Sequence, residues 1–370
     1  MANEITIVDT GLVYQNPKVA GDRIHVQQPS LIMLTDKEFI ATFILDHVDQ
    51  EFSGRVVVSR SMDAGCTWDL EGEVIDDPPA STTHSMPASM LSDGSLIGIV
   101  QMNYFAETHQ SSVNVETYGR VPGKLYIVRS SDGGRSWTSP SPLRPPLIGP
   151  GWEVCHHVLE LTNGRLLIPT ATWRAWNGEN PSGEQTVAFI SDDDGITWPR
   201  YSVIFDGRDT LLTHWEKSVI QLGDGRLLAV AWVYDTRSSL TLSSVYAISA
   251  DNGESFSQPM EIGFLAQTCK IIQIQDGRIL SIYRRHDQPG LWATVVDLNG
   301  DCWTNLSSLP IWRGAESGMS GEQGGAKELL DLKFGYPNSA QAPNGDILVL
   351  FWCEEEKATN IRWTRLRIKN

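Results

Sequence analysis

Ser-x-Asp-x-Gly-x-x-aromatic is written four times along the chain, as Ser61–Trp68, Ser130–Trp137, Ser191–Trp198 and Ser249–Phe256. A spacing of roughly 60 residues between copies points to repeat architectures, in which one supersecondary unit is built several times and set side by side. Each copy has a local reason. The Asp carboxylate accepts backbone N–H groups across a tight turn, Gly supplies the positive φ that the turn needs, and the aromatic ring packs beside it. The motif is therefore read as a hairpin clasp, a fold element with no part in catalysis. A decayed fifth copy is Leu298-Asn299-Gly300-Asp301-Cys302-Trp303, with no Asp ahead of the Gly, and no sixth is recognisable.

Between the clasps lies a second repeat, a strand, a short polar turn and then a strongly apolar strand. Its copies are Gln28–Lys37 leading into Phe39–Phe43, Ala88–Gly94 leading into Leu96–Val100, Leu159–Ile168, Val219–Val230, Ile271–Leu280 and Ala340–Leu350. Asn-Gly and Asp-Gly between apolar runs are the strongest short-range hairpin signal. Six hairpins predict six blades, each adding a third strand that carries the clasp and a fourth outside it. The segment Glu4–Val8 is expected to complete the last blade beside Asn360–Leu366, closing the ring and removing a free sheet edge. The expected fold is all-β, a six-bladed β-propeller of four-stranded antiparallel blades, with residues 1–370 as one domain. Irregular insertions at about 103–123, 173–185 and 310–335 are expected to wall a site, as long loops in compact all-β domains often do.

Charge and cysteine usage narrow the partners. A net charge of −16 argues against a nucleic-acid or anionic-membrane surface, which needs a basic face. The five cysteines are widely spaced, with no C-x-x-C pair. That is neither a disulfide framework nor a zinc site, and it suits a reducing compartment. The first residues lack the basic and apolar regions of a leader, and no run of about 18 apolar residues is present. A cytoplasmic protein without metal or cofactor is the expectation, with its oligomeric state left open.

In a propeller the innermost strands surround one axis, and ligands bind where their ends converge. Aligned on their turns, the six inner strands give one column of Gln28, Ser85, Cys155, Glu216, Thr268 and Tyr336. The neighbouring column is Gln27, His84, Val154, Trp215, Gln267 and Gly335. His25, Glu153, His156, His157, His214 and Lys270 stand close by. These polar, titratable and aromatic positions contrast with the apolar strands that follow and form the candidate ring. Trp152, Trp173, Trp176, Trp215 and Trp232 offer faces for a sugar, while Cys155 is expected to be a small buried hydrophobe.

Four such clasps on six inner hairpins resemble the sialidase superfamily of six-bladed Asp-box, or BNR-repeat, propellers, along essentially the whole chain. The resemblance implies an exo-acting glycoside hydrolase that releases a terminal, acidic and ulosonic-acid-like sugar, with carbohydrate as the partner. In that family a Tyr nucleophile begins the inner strand of the last blade, and Tyr336-Pro337-Asn338-Ser339 stands at that place. A Glu heading an earlier inner strand polarises the Tyr, and Glu216, followed by an apolar run and Asp224-Gly225-Arg226-Leu227, matches it. A phenol with pKa near 10 is a poor nucleophile until a carboxylate takes its proton, and Tyr-nucleophile sialidases depart from the two-carboxylate scheme in this way. The family's acid/base Asp lies after the first inner hairpin, where Asp46 and Asp49 both fall.

The chain also departs from the family pattern. Sialidases open with Arg-Ile-Pro, whose Arg is one of three that grip the substrate carboxylate, whereas the aligned stretch here is Gln27-Gln28-Pro29. A second family Arg falls at Ala231-Trp232, with Arg237 further on. Blade five offers Arg284 and Arg285, and Arg23, Arg174 and Arg313 are neighbours to consider. The substrate-binding candidates are therefore Gln27, Gln28, His84, His156, His214, Trp215, Lys270, Arg284 and Arg285. Two other readings compete. The histidines and the missing Arg suit a propeller polysaccharide lyase or a His-dependent hydrolase on uronate-containing glycans, such as rhamnose–glucuronate linkages, in which His or Tyr takes the C5 proton. A non-catalytic glycan-binding propeller would use the ring without chemistry. For the Tyr336 and Glu216 pair itself, the plainer alternative is packing, with Tyr336 filling the channel and Glu216 paired with Lys217 or an arginine.

Overall fold

The computed structural model describes residues 4–18, 23–50, 52–106, 111–285, 287–314 and 332–369. Strand β1 (Ile5–Tyr14) comes first in sequence and is the outermost strand of the last blade. Blade one is β2 (Ile24–Met33), β3 (Phe39–His47), β4 (Arg55–Ser61) and β5 (Asp69–Glu73). Blade two is β6 (Thr82–Ser85), β7 (Ala88–Met90), β8 (Leu96–Tyr104), β9 (Gly123–Ser130) and β10 (Ser141–Pro142). Blade three is β11 (Gly151–Glu153), β12 (Leu159–Glu160), β13 (Leu166–Trp173), β14 (Gln185–Ser191) and β15 (Arg200–Asp206). Blade four is β16 (Leu212–Gln221), β17 (Leu227–Asp235), β18 (Leu240–Ser249) and β19 (Met260–Glu261). Blade five is β20 (Ala266–Gln273), β21 (Ile279–Arg285), β22 (Leu291–Asn299) and β23 (Cys302–Trp312). Blade six is β24 (Phe334–Gln341), β25 (Ile347–Glu355) and β26 (Ala358–Ile368), finished by β1.

This is the expected six-bladed propeller of four-stranded antiparallel blades, with the inner strands of blades two and three each broken into two pieces. The N-terminal strand closes the ring, pairing from Ile5 with Ile368 to Tyr14 with Ile361. The expected 310–335 insertion starts later than its boundary, because β23 runs to Trp312; residues 315–331 lie outside the described residues.

The core is not at the axis. Six apolar clusters sit one between each neighbouring pair of blades, from Phe43 against Trp352 and Trp363 to Leu280 and Ile282 against Val349 and Phe351. A second strand therefore meets a neighbour on both faces. This explains why Leu96–Val100, Leu227–Val233 and Ile347–Trp352 are continuous apolar runs rather than alternating ones. Five of the six inner turns close with the Gly amide donating back three residues, as Gly164 does to Leu161 O at 2.8 Å, and Gly164 has φ +84°; the turn of blade one has no Gly and closes with the Leu34 N–H donating to Glu38 O at 2.9 Å. The clasps lie at this same turn end. Asp193 accepts Thr197 N–H at 2.9 Å and the Thr197 hydroxyl at 2.6 Å, while the Ser191 hydroxyl donates to it at 2.7 Å. With the core and the clasps assigned elsewhere, the axis at the opposite end is left to polar groups.

Candidate active site at the axial bulge ring

At that opposite end, four inner strands carry the same irregularity. In β2 the register runs from Gln27 opposite Ile44 to Ser30 opposite Thr42, so that two residues face one. The same single-residue bulge interrupts β16 between Trp215 and Ser218, β20 between Gln267 and Lys270, and β24 between Gly335 and Asn338. The first bulge residue is left-handed each time: Gln28 (φ +55°), Glu216 (+51°), Thr268 (+50°) and Tyr336 (+53°). These are four of the six residues that the turn alignment puts in one column; the other two, Ser85 and Cys155, sit in or beside the breaks of blades two and three. A non-Gly residue in this region costs about 1 kcal/mol or more, and bulges re-aim side chains. Pro29 and Pro337 occupy the second bulge position, where no ladder donor is needed.

Buried carboxylates link the bulges from blade to blade. The Glu216 N–H donates to Glu153 Oε1 at 2.8 Å, and the Thr268 N–H donates to Glu216 Oε2 at 2.7 Å. Lys217, the second bulge residue of blade four, is fully buried and pairs with Glu153 Oε2 at 2.7 Å, while also donating to Glu153 O. The partner of Lys217 is thus Glu153 and not Glu216. Lys270 Nζ donates to Cys155 O at 2.5 Å and to Lys217 O at 3.2 Å. Arg284 is buried between blades five and six, donating to Gln267 Oε1 at 3.0 Å and to Phe334 O. A Cβ on Gly335 would strike this guanidinium.

Tyr336 sits in this charged surround. Its ring centroid is 5.9 Å from Lys270 Nζ, and it lines an axial pocket with Gln28, Met86, Cys155, Lys270 and Asn338. Further along the inner strands a cavity of about 300 Å³ is lined by His156, His157, Ser218, Lys270 and Ser339, among others. Burial, then the nearby Cys155, Glu153 and Glu216, holds the Tyr336 phenol well above its usual 10, with Arg120 opposing. Burial likewise pushes Glu216 up to about 7, against the pull of Arg284, with Glu153 adding to the rise. Among the described residues no hydrogen bond joins the Tyr336 hydroxyl to Glu216; the two act on each other through their charges. The arrangement supplies a neutral phenol and a carboxylate poised to exchange a proton near neutral pH.

The remaining candidates divide. Asp46 is half-buried at the end of β3, opposite His25, and accepts the Ser53 hydroxyl at 2.5 Å. Asp49 instead pairs with the exposed Arg23 at 2.7 Å. Gln27 and Gln28 are half-buried, and Gln28 reaches the Tyr336 pocket. His84 is buried against Thr82 Oγ1 at 3.0 Å, and His214 stacks on Phe205 of blade three at 5.1 Å; burial holds both near 4, hence neutral. His156 spends both ring nitrogens on the backbone, at His157 O and at the Val219 N–H. Burial pushes the Cys155 thiol up to about 12, which fits an inert buried residue. Arg285 pairs with Asp287 and covers Trp292, 4.8 Å from its ring. Trp215 packs inside a cluster with Trp173, Trp232 and Tyr234, so its faces are taken. Sequence reasoning had no sign of Arg120, which lies in an insertion and in no aligned column.

Residues 56–349 match the family described as BNR repeat-like domain. The chain belongs to that family. Within this sialidase-like BNR fold, human Sialidase-4 is 30% identical over 162 residues, a match covering 40% of this chain and 32% of the human protein. A protein of unknown function from Dyadobacter fermentans shares the fold over 99% of this chain and 100% of its own, at TM-score 0.74 and 22% identity. The intramolecular trans-sialidase from Ruminococcus gnavus shares it over 98% of both chains, at TM-score 0.64 and 14% identity.

Proposed function

We propose that this BNR propeller is a glycoside hydrolase of the sialidase superfamily, releasing a terminal acidic, ulosonic-acid-like sugar from the end of a glycan. The observation that carries the reading is the bulge ring, which gives Tyr336 and Glu216 the same left-handed placement two blades apart and couples their charges. In the reading, Tyr336 Oη attacks the anomeric carbon and its proton passes to the Glu216 carboxylate. Asp46 protonates the departing glycosidic oxygen. A water deprotonated by Asp46 then opens the glycosyl-tyrosine, and Glu216 returns the proton to the phenolate, so the anomeric configuration is retained. Asp46 is preferred to Asp49 because Asp49 is already held by Arg23 at the exposed rim. Nucleophile, base and acid are all side chains, so the scheme asks for no cofactor.

Product analysis on a panel of aryl glycosides, carboxylate-bearing and neutral, tests the activity. Tyr336→Phe is expected to lose at least about 10³-fold in kcat on whichever substrate is turned over, with an unchanged melting temperature. Retention of most of the turnover would sink the Tyr nucleophile.

A further inference from the structure

Residues 114–120, between β8 and β9, lie against blade three. The Arg120 N–H donates to Arg174 O at 3.0 Å, and the Thr117 hydroxyl and Asn114 Nδ2 donate to Trp176 O at 2.8 and 3.1 Å. Trp173 Nε1–H donates back to Tyr118 O at 2.7 Å. Gly119 permits the approach, since a Cβ there would collide with the Ala175 carbonyl. Held in this way, the Arg120 guanidinium lies 4.2 Å from the Trp173 ring centroid. Trp173 stacks on Trp215 at 5.0 Å, and Trp215 on Tyr234 at 5.6 Å. Trp215 directly precedes Glu216, so one rigid stack fixes the guanidinium relative to the bulge ring.

The arginine is uncommitted where its neighbours are not. Among the described residues Arg120 makes no ion pair, and its buried Nε has no hydrogen-bond acceptor. Arg23, Arg174, Arg237 and Arg285 are paired with Asp49, Glu184, Asp235 and Asp287, and Arg284 donates to Gln267 and to a backbone carbonyl. A buried donor without an acceptor asks for an explanation, and an anionic ligand supplies one. The guanidinium also acts electrostatically on the Tyr336 phenol, against the larger effect of burial.

We propose that Arg120 is the residue that reads the carboxylate of the substrate, reaching over from an insertion loop instead of from an inner strand. A guanidinium pinned on an indole keeps its donor edge free for a carboxylate. The blade-one place, Gln27-Gln28, then contributes only neutral hydrogen bonds. This inference rests on the hydrolase reading for its substrate.

The test compares a carboxylate-bearing aryl glycoside that the enzyme turns over with its methyl ester, using wild type, Arg120→Gln and Arg120→Lys. Arg120→Gln is expected to lose about 10- to 100-fold in kcat/KM on the acid, mainly through KM, the scale of one charge-assisted hydrogen bond. On the ester the loss is expected to be at least ten times smaller, and Arg120→Lys is expected to recover part of the acid activity. Equal losses on acid and ester, or none on the acid, overturn the proposal and leave the hydrolase reading intact. Turnover of neutral glycosides alone also overturns the proposal, leaving glycoside hydrolysis standing without the acidic sugar. If nothing is turned over, the hydrolase reading fails, and calorimetric titration with free N-acetylneuraminic acid and glucuronic acid decides. Binding lost in Arg120→Gln upholds the carboxylate contact, and binding that is absent or unaffected by the variant ends it.

Discussion

At the turn face, Asp63, Asp132, Asp193 and Asp251 each gather the amides of their own loop. At the bulge face, Glu153 and Glu216 each gather an amide of the next blade. Both ends use a carboxylate to satisfy backbone donors that the sheet leaves over. The clasp carboxylates are solvated and repeat almost unchanged, and hydrogen bonds hold Asp193 down at about 2. Those of the bulge are buried and differ from blade to blade, and burial lifts Glu216 to about 7. A closed local bond can be copied into any blade. A desolvated charge at a shared axis is set by its neighbours, and there Glu216 is lifted toward neutral pH.

The strongest break of this contrast is Glu153→Ala. It strands Lys217 as a buried unpaired cation and frees the Glu216 amide, for an expected loss of about 3–5 kcal/mol in denaturant unfolding. Glu216→Gln is milder for the fold, because an amide oxygen still accepts the Thr268 N–H. Its expected cost is in activity, about 10²–10⁴-fold in kcat/KM, with loss of the acid limb expected for wild type below about pH 7.

The same substitution reads out linkage. Glu216 is raised in the folded state, so the native protein binds the extra proton between about 4.5 and 7. Relative to Glu216→Gln, wild type should therefore lose stability as pH rises through that window, by up to about 3 kcal/mol. Unfolding curves at pH 5 and 8 check the sign, and taking the difference removes His84 and His214, whose lowered values slope the other way. At the turn face Asp193→Ala should lower the melting temperature only slightly and leave kcat/KM unaltered. Asp49→Asn removes a solvated pair with Arg23, and its unfolding curve should stay close to that of wild type. An activity loss for Asp49→Asn larger than for Asp46→Asn would reverse the choice of acid/base.

The features legible in the sequence were the local ones. Asp-Gly turns and clasps close within a few residues, so six hairpins could be counted, and counting back from each turn found the ring of Gln28, Glu216, Thr268 and Tyr336. Their left-handed backbone was hidden, because a bulge exists only against a partner strand. The histidines misled for a related reason. His84 stands one position before the column, and strand alternation turns such a neighbour the other way, into contact with Thr82, while His214, two positions before Glu216, stacks on Phe205 of the neighbouring blade. Nor could Lys217 be matched to Glu153, 64 positions away, or Arg120 be placed at all, since nothing in a repeat alignment registers an insertion that folds onto the next blade.

The closing pair, β1 on β26, has a consequence in time. Thr10 donates to Trp363 O across 353 positions of chain, so during synthesis β1 exists long before the strand it pairs with. Until β26 emerges, Ile5 and Val13, both buried in the finished ring, lack the strand that pairs with their own and completes their cover, and an unpaired strand is the kind of surface that nascent chains misuse. Blades one to five are therefore expected to mature ahead of a sixth that waits for both ends of the chain. Refolding should accordingly be slow, as for other folds dominated by distant pairings, and most vulnerable to aggregation just before the last blade is sealed.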